Sequence, residues 1–139
     1  PTQFCQDKYK SFGDNVRLAS GIEARLIEAE AALQNDPGTW LSKHNEARAA
    51  AGLGPATDPG SAAARLELHF DERGRHFFAE GHRLSDMRRM VRQYGMSAND
   101  VFPTGEYRKG GPYGTDVNWI IPQEEENNPN FTACTDRAA

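Results

Sequence analysis

Apolar positions recur at helical spacing through the first two thirds of the chain and lose that period afterwards. Leu18, Ile22, Leu26, Ala29 and Leu33 are separated by steps of four, four, three and four, which is one face of an α-helix. Ser20 precedes the stripe, with Glu23 three residues on, the pattern of a capping box. Asn35-Asp36-Pro37-Gly38 stops this helix. A second helix is predicted from Pro37 or Thr39 to Ala51, carrying Trp40, Leu41, His44, Asn45 and Arg48; Gly52 and Gly54-Pro55 end it.

Two Ala-rich helices joined by a short turn predict an antiparallel pair, the shape of one tetratricopeptide-like unit. Such a unit cannot bury its apolar face alone. A third helix opens at Asp58-Pro59-Gly60, with Asp58 as its expected cap and Pro59 at its first position. Leu66, Phe70, Phe77, Phe78, Leu84, Met87 and Val91 are its apolar positions, and Gly81-His82 divides it into one helix to about Glu80 and another over 84–93. After residue 97 the helical period is gone. Thr104-Gly105, Gly110-Gly111-Pro112 and Gly114 are turn chemistry, and Val117–Ile121 is the one credible strand, ended by Pro122. The expected fold is therefore mainly α, in one piece spanning 1–139. It comprises an extended lead-in (1–17), a helix pair (18–54), Arg/Glu-rich helices (58–95) and an irregular Pro/Gly-rich tail (96–139).

Composition narrows the function. Lys plus Arg number 16 and Asp plus Glu 20, a net charge of −4. Nucleic-acid affinity is built from excess basic charge, so no nucleic-acid partner is expected. No apolar run approaches the roughly 18 residues of a membrane helix. The chain begins at Pro1 in a polar stretch without a basic and apolar leader, which suggests a fragment or a processed product. Cys5 and Cys134 lie near opposite ends in polar, loop-like surroundings. They read as a disulfide tying the ends together, which implies an oxidising compartment; the alternative is two unrelated thiols. Neither has a basic or His neighbour to activate it.

Residues 65–92 hold seven Arg and five acidic residues interleaved with Phe and Leu. Arg73, Glu80, Arg83, Asp86 and Arg89 read as a structural ion-pair network, because Arg suits planar, partly buried pairing with carboxylates. The alternative is an anion or carboxylate site. His76, Glu80 and His82 do not have the spacing of a metal motif, and no metal or other cofactor is expected. No nucleophile elbow, Walker loop or dinucleotide turn is present. His44, beside Asn45 and Arg48, reads as a packed or surface histidine. Asn130-Phe131-Thr132 matches a glycosylation acceptor, a tripeptide that is common by chance.

Several ordered motifs, each weak alone, carry a resemblance together. They are Glu23-Ala24-Arg25-Leu26-Ile27-Glu28-Ala29-Glu30-Ala31-Ala32-Leu33, then Asn45-x-x-Arg48 leading to Ala51-Gly52-Leu53. Next come Glu72-Arg73 and Phe77-x-x-Glu80-Gly81-His82-Arg83-x-x-Asp86-x-Arg88-Arg89. Phe102-Pro103-Thr104-Gly105 and Ile121-Pro122-x-x-Glu125-x-Asn127-Asn128-Pro129 close the set. In their order and spacing the chain resembles the C-terminal part of a SusD/RagB-family protein, departing from it at Leu84-Ser85, where that family usually has an aromatic. The resemblance implies a non-enzymatic surface protein of the outer membrane. Such a protein binds glycan or peptide nutrients over a TonB-dependent, SusC-like transporter and is anchored through a part of the protein outside this chain. Family members are much longer, so most of their helices and ligand aromatics fall outside it too.

Within the chain, Tyr107, Tyr113 and Trp119 are the candidate ligand residues, since flat rings suit the C–H faces of sugars. Asn118 and Asp116 could add hydrogen bonds, and Trp119 reads also as a core residue of the strand. Two other functions fit the residues: a helical scaffold binding a protein partner, and a carbohydrate-active hydrolase using a carboxylate pair.

Overall fold

The computed structural model of the chain describes residues 5–114, 117–118 and 122–131. The protein is mainly helical and divides between Glu80 and Gly81 into two compact units. The first holds α1 (Gly21–Ala32), α2 (Pro37–Ala50) and α3 (Ala62–His76). The second holds α4 (Arg83–Arg92) and two single-turn helices, α5 (Ala98–Val101) and α6 (Gln123–Glu126). Among the described residues the β pairing is a single bridge, Glu106 with Pro112.

Local chemistry accounts for the helix ends. Ser20 caps α1, its hydroxyl accepting from Glu23 N at 3.1 Å, as the capping pattern predicts. Asp36 caps α2 by accepting from Thr39 N at 3.0 Å and Thr39 Oγ1 at 2.7 Å, with Pro37 at the first turn. The third cap differs from expectation. Ser61, not Asp58, caps α3 through Ala64 N at 3.2 Å. Gly60 lies in the left-handed region at φ +88°, so the chain cannot be helical before Ser61. Asp58 is used instead to accept Gly60 N and to hold Arg65 through two bonds at 2.8 and 2.9 Å. At its other end α3 stops at His76, short of the expected Glu80, because Ala79 takes φ 58° and turns the chain.

In the first unit α1 and α2 pack along each other, and α3 lies against α1. Leu26, Ala47 and Phe77 form one buried cluster with Ile22 at its edge. Ala29, Leu33 and Trp40 form another, flanked by Leu41, Leu66 and Leu68. Each fully buried large side chain contributes about 1.5–3 kcal/mol. Leu18, expected on the apolar face of α1, is instead exposed ahead of the helix, and Phe78 is exposed while its neighbour Phe77 is buried.

The Asn45-x-x-Arg48 motif has a clear task here. Asn45 imitates a peptide group: its Nδ2 donates to Ala56 O at 3.2 Å, and its Oδ1 accepts from Ala56 N at 2.8 Å. Arg48 Nε donates to Gly54 O at 2.6 Å. Together they bind the Ala51–Ala56 loop back onto α2. The lead-in is similarly fastened. Lys8 Nζ donates to Phe78 O at 2.8 Å and to Glu80 Oε1 at 2.6 Å, the two acceptors on either side of the left-handed Ala79.

In the second unit Asp86 and Met87 are the buried positions of α4, and α5 packs against α4. The described part of the tail is built from turns as well as from α5 and α6. Val117 is buried, whereas Trp119, Ile120 and Ile121, which complete the expected strand, lie outside the described residues, as do Asp116 and Cys134. Cys5 is exposed.

Candidate functional site

The tail builds a pocket of about 500 Å³. Three stretches converge on it: the start of α5 (Ala98, Asn99), the segment Phe102–Glu106, and the returning segment Gly111–Gly114 with Val117. The sequence sets this up through its glycines. Gly105, Gly110 and Gly111 have φ of 81°, 101° and 81°, a region that side chains other than glycine's rarely tolerate. They let the chain double back as a short hairpin. Tyr107 N donates to Gly111 O at 2.7 Å, Gly110 N to Tyr107 O at 2.7 Å, and Tyr113 N to Gly105 O at 2.9 Å.

The hairpin brings two of the predicted ligand residues together. Tyr107 and Tyr113 meet edge to face with ring centroids 5.3 Å apart. Tyr113 lines the pocket and is 40% exposed, while Tyr107 is half-buried behind it. Phe102, Pro103 and Pro112 add apolar wall, and Glu106 adds one carboxylate. The volume lies within the ordinary range of small-molecule sites, roughly 300–1,000 Å³. A ring of tyrosine edge and face beside apolar wall can hold the C–H face of a sugar, with hydroxyls left for polar groups. Trp119 lies outside the described residues.

The residues read as an ion-pair network have several partners. Glu80 pairs with Lys8, its side chain only 3% exposed. Asp86 accepts from Arg89 Nη2 at 2.8 Å on the same helix. Arg73 is buried and stacks over Phe77, its guanidinium carbon 4.9 Å from the ring centroid. Arg83 is exposed at the start of α4.

A second polar cluster lies inside the first unit. His44 on α2 and His69 on α3 are fully buried, with ring centroids 5.5 Å apart, and Trp40 stacks on His44 at 4.9 Å. His69 Nε2 faces Glu30 Oε2 of α1 at 3.3 Å. Glu72, 1% exposed, takes Arg48 of α2 and, at 3.2 Å, Arg75, while His76 lies 3.5 Å from its other oxygen. Both His44 nitrogens, His69 Nδ1 and Trp40 Nε1 are buried without a hydrogen-bond partner among the described residues. Desolvation pushes the His44 imidazole down to about 4, helped by His69, Arg48 and His76. Burial lowers His76 as well, against the pull of Glu72. Among the described residues no three His, Cys, Asp or Glu side chains are arranged to hold a metal ion.

From the sequence His44 reads as a packed or surface histidine; it is packed, but the cluster around it is missed. A signal was present. Trp40 and His44 are four apart, and His69, Glu72 and His76 follow steps of three and four, so each set shares a helix face.

The family model described as the SusD family matches residues 17–132. The chain belongs to the SusD family. No curated protein matches it, and no solved structure does. The match runs from just before α1 to beyond α6, so the histidine cluster and the tyrosine pocket both fall within the SusD-family region. Membership suggests nutrient binding for uptake in association with the outer-membrane surface, and SusD-family proteins are generally non-catalytic. No helix among the described residues is long and apolar enough to cross a membrane.

Proposed function

We propose that this SusD-family chain binds a glycan at the tyrosine-lined pocket without cleaving it. It forms part of an outer-membrane surface protein that passes nutrients to a TonB-dependent, SusC-like transporter. The observation that carries the reading is the pocket itself. It offers about 500 Å³ beside an exposed tyrosine braced by a second ring, inside the family match. Binding of this kind needs no metal and no acid–base pair, since ring stacking and hydrogen bonds to hydroxyls suffice. The buried Arg/Glu pairs serve packing in this reading.

The test is a titration with a panel of neutral oligosaccharides and short peptides. The tyrosine ring resonances are followed together with product release. Glycans are expected to shift Tyr113 and Tyr107 and to be recovered intact. Tyr113→Ala should weaken binding up to about tenfold, in line with the roughly 0.5–1.5 kcal/mol of a ring contact. Peptides shifting the same rings while glycans do not would exchange the ligand class. Hydrolysis abolished by a Glu→Gln substitution would replace the reading with an enzyme.

A further inference from the structure

Arg108 and Lys109 form the tip of the hairpin whose base is the pocket wall. The turn is tightly defined, with Gly110 N bonded to Tyr107 O at 2.7 Å and Tyr107 N to Gly111 O at 2.7 Å. Below it, the bridge between Glu106 and Pro112 holds the two legs together. Both side chains are exposed. Several cations elsewhere in the protein pair with carboxylates of the fold. Arg48 pairs with Glu72, Arg65 with Asp58, Arg75 with Asp71, Arg89 with Asp86, Lys43 with Glu46 and Lys8 with Glu80. Among the described residues Arg108 and Lys109 have no such carboxylate and no hydrogen-bond acceptor.

Arg108 and Lys109 follow Tyr107 directly in the turn, outside the residues that line the pocket, and take no part in an ion pair among the described residues. They stand on a chain whose net charge is −4. Glu106 on the pocket wall offsets one of them, leaving the hairpin net positive. A sugar ring stacked on Tyr113 would project its ring substituents from the pocket. A carboxylate among them that reached the turn would accept two parallel hydrogen bonds from a guanidinium, with an ammonium beside it. We propose that the preferred ligand of the pocket is a uronic-acid oligosaccharide and that Arg108 and Lys109 select for its carboxylates. The proposal rests on the reading of the pocket as a glycan site.

Isothermal titration with trigalacturonate and with its full methyl ester tests both levels, because the ester keeps the sugar and removes the charge. The free acid should bind about fivefold to tenfold more tightly than the ester at low salt, as two solvent-exposed charge contacts allow. High salt should erase the difference. The double substitution Arg108→Gln/Lys109→Gln should remove the preference and leave affinity for the ester unchanged. Tyr113→Ala should weaken both ligands. Equal binding of acid and ester by the parent, or a preference that survives the double substitution, would overturn the charge selection and leave the glycan pocket standing. If neither these ligands nor neutral glycans bind, the pocket reading falls and this proposal falls with it.

Discussion

Glu72 and Arg75 show how burial sets the value of one charge. The Glu72 side chain is 2% exposed and accepts Arg48 across helices as well as Arg75 along its own, whereas Arg75, which also pairs with Asp71, is 65% exposed and leaves Glu72 its Arg48 when removed. Removing a buried partner strands the other charge, a loss of roughly 3–5 kcal/mol. Arg48 is 21% exposed and keeps its bond to Gly54 O, so Glu72→Ala is expected at the low end, about 3 kcal/mol, by urea denaturation. Arg75→Ala should change stability by less than about 1 kcal/mol in the same assay. Similar losses for both would mean that Glu72 is not acting as a buried anchor. Ala79 makes the opposite point about strain. It adopts φ 58° while exposed, so Ala79→Gly should stabilise the protein by about 1 kcal/mol. A loss of stability instead would show that Gly's unfolded-state entropy outweighs the strain relieved.

At the scale of the element, helices α1, α2 and α3 meet through the histidine cluster, and its protonation should weaken their packing. The His44 imidazole is held near 4 in the fold and returns to about 6.5 when unfolded, so the unfolded chain takes up the proton first. Its contribution is complete above about pH 6.5 and is lost as pH falls from there toward 4. The groups facing it act together: His69 and His76 on α3, Arg48 on α2, Glu72 on α3, and Glu30 on α1 through His69. The loss is expected to reach at most about 3 kcal/mol. Melting curves of the parent and of His44→Leu across this window should diverge, the variant having a flatter acid limb. Parallel limbs would place the acid sensitivity elsewhere. Asp36 and Asp58 are held below the usual carboxylate range, mainly by bonds from Thr39 and Arg65 respectively. Their contributions persist until the pH is lower still. The loop after α2 follows similar logic, and Asn45→Ala should cost about 1–2 kcal/mol by leaving the Ala56 peptide unpaired.

For the whole molecule, the two units divide the work. The first supplies a packed helical scaffold, and the second presents a pocket made of turns. Because the proposed recognition uses rings and exposed cations, ligand affinity should be unaffected by a chelator. It should also persist at mildly acid pH so long as the melting curve shows the protein folded. Binding lost on chelation at neutral pH would point to a metal-dependent ligand site and away from ring stacking.

The helices of this protein were legible in its sequence because their causes are local. The stripe from Ile22 to Leu33, the cap at Ser20 and the Pro37 start of α2 act within a few residues, and they appear as read. The ordered family motifs were legible for the same reason, being short patterns in fixed order. The tertiary structure decided which partner each polar side chain meets. Glu72 takes Arg48, 24 residues away, and Glu80 takes Lys8, 72 residues away. His44 faces His69 from another helix. Helical periodicity says which face a residue occupies but not what is packed against that face. Tyr107 and Tyr113 could be named from composition, yet their contact depends on three glycines with positive φ and on a bridge from Glu106 to Pro112. That closure joins backbone groups across a turn, and it is the folded chain that places the ring beside a pocket.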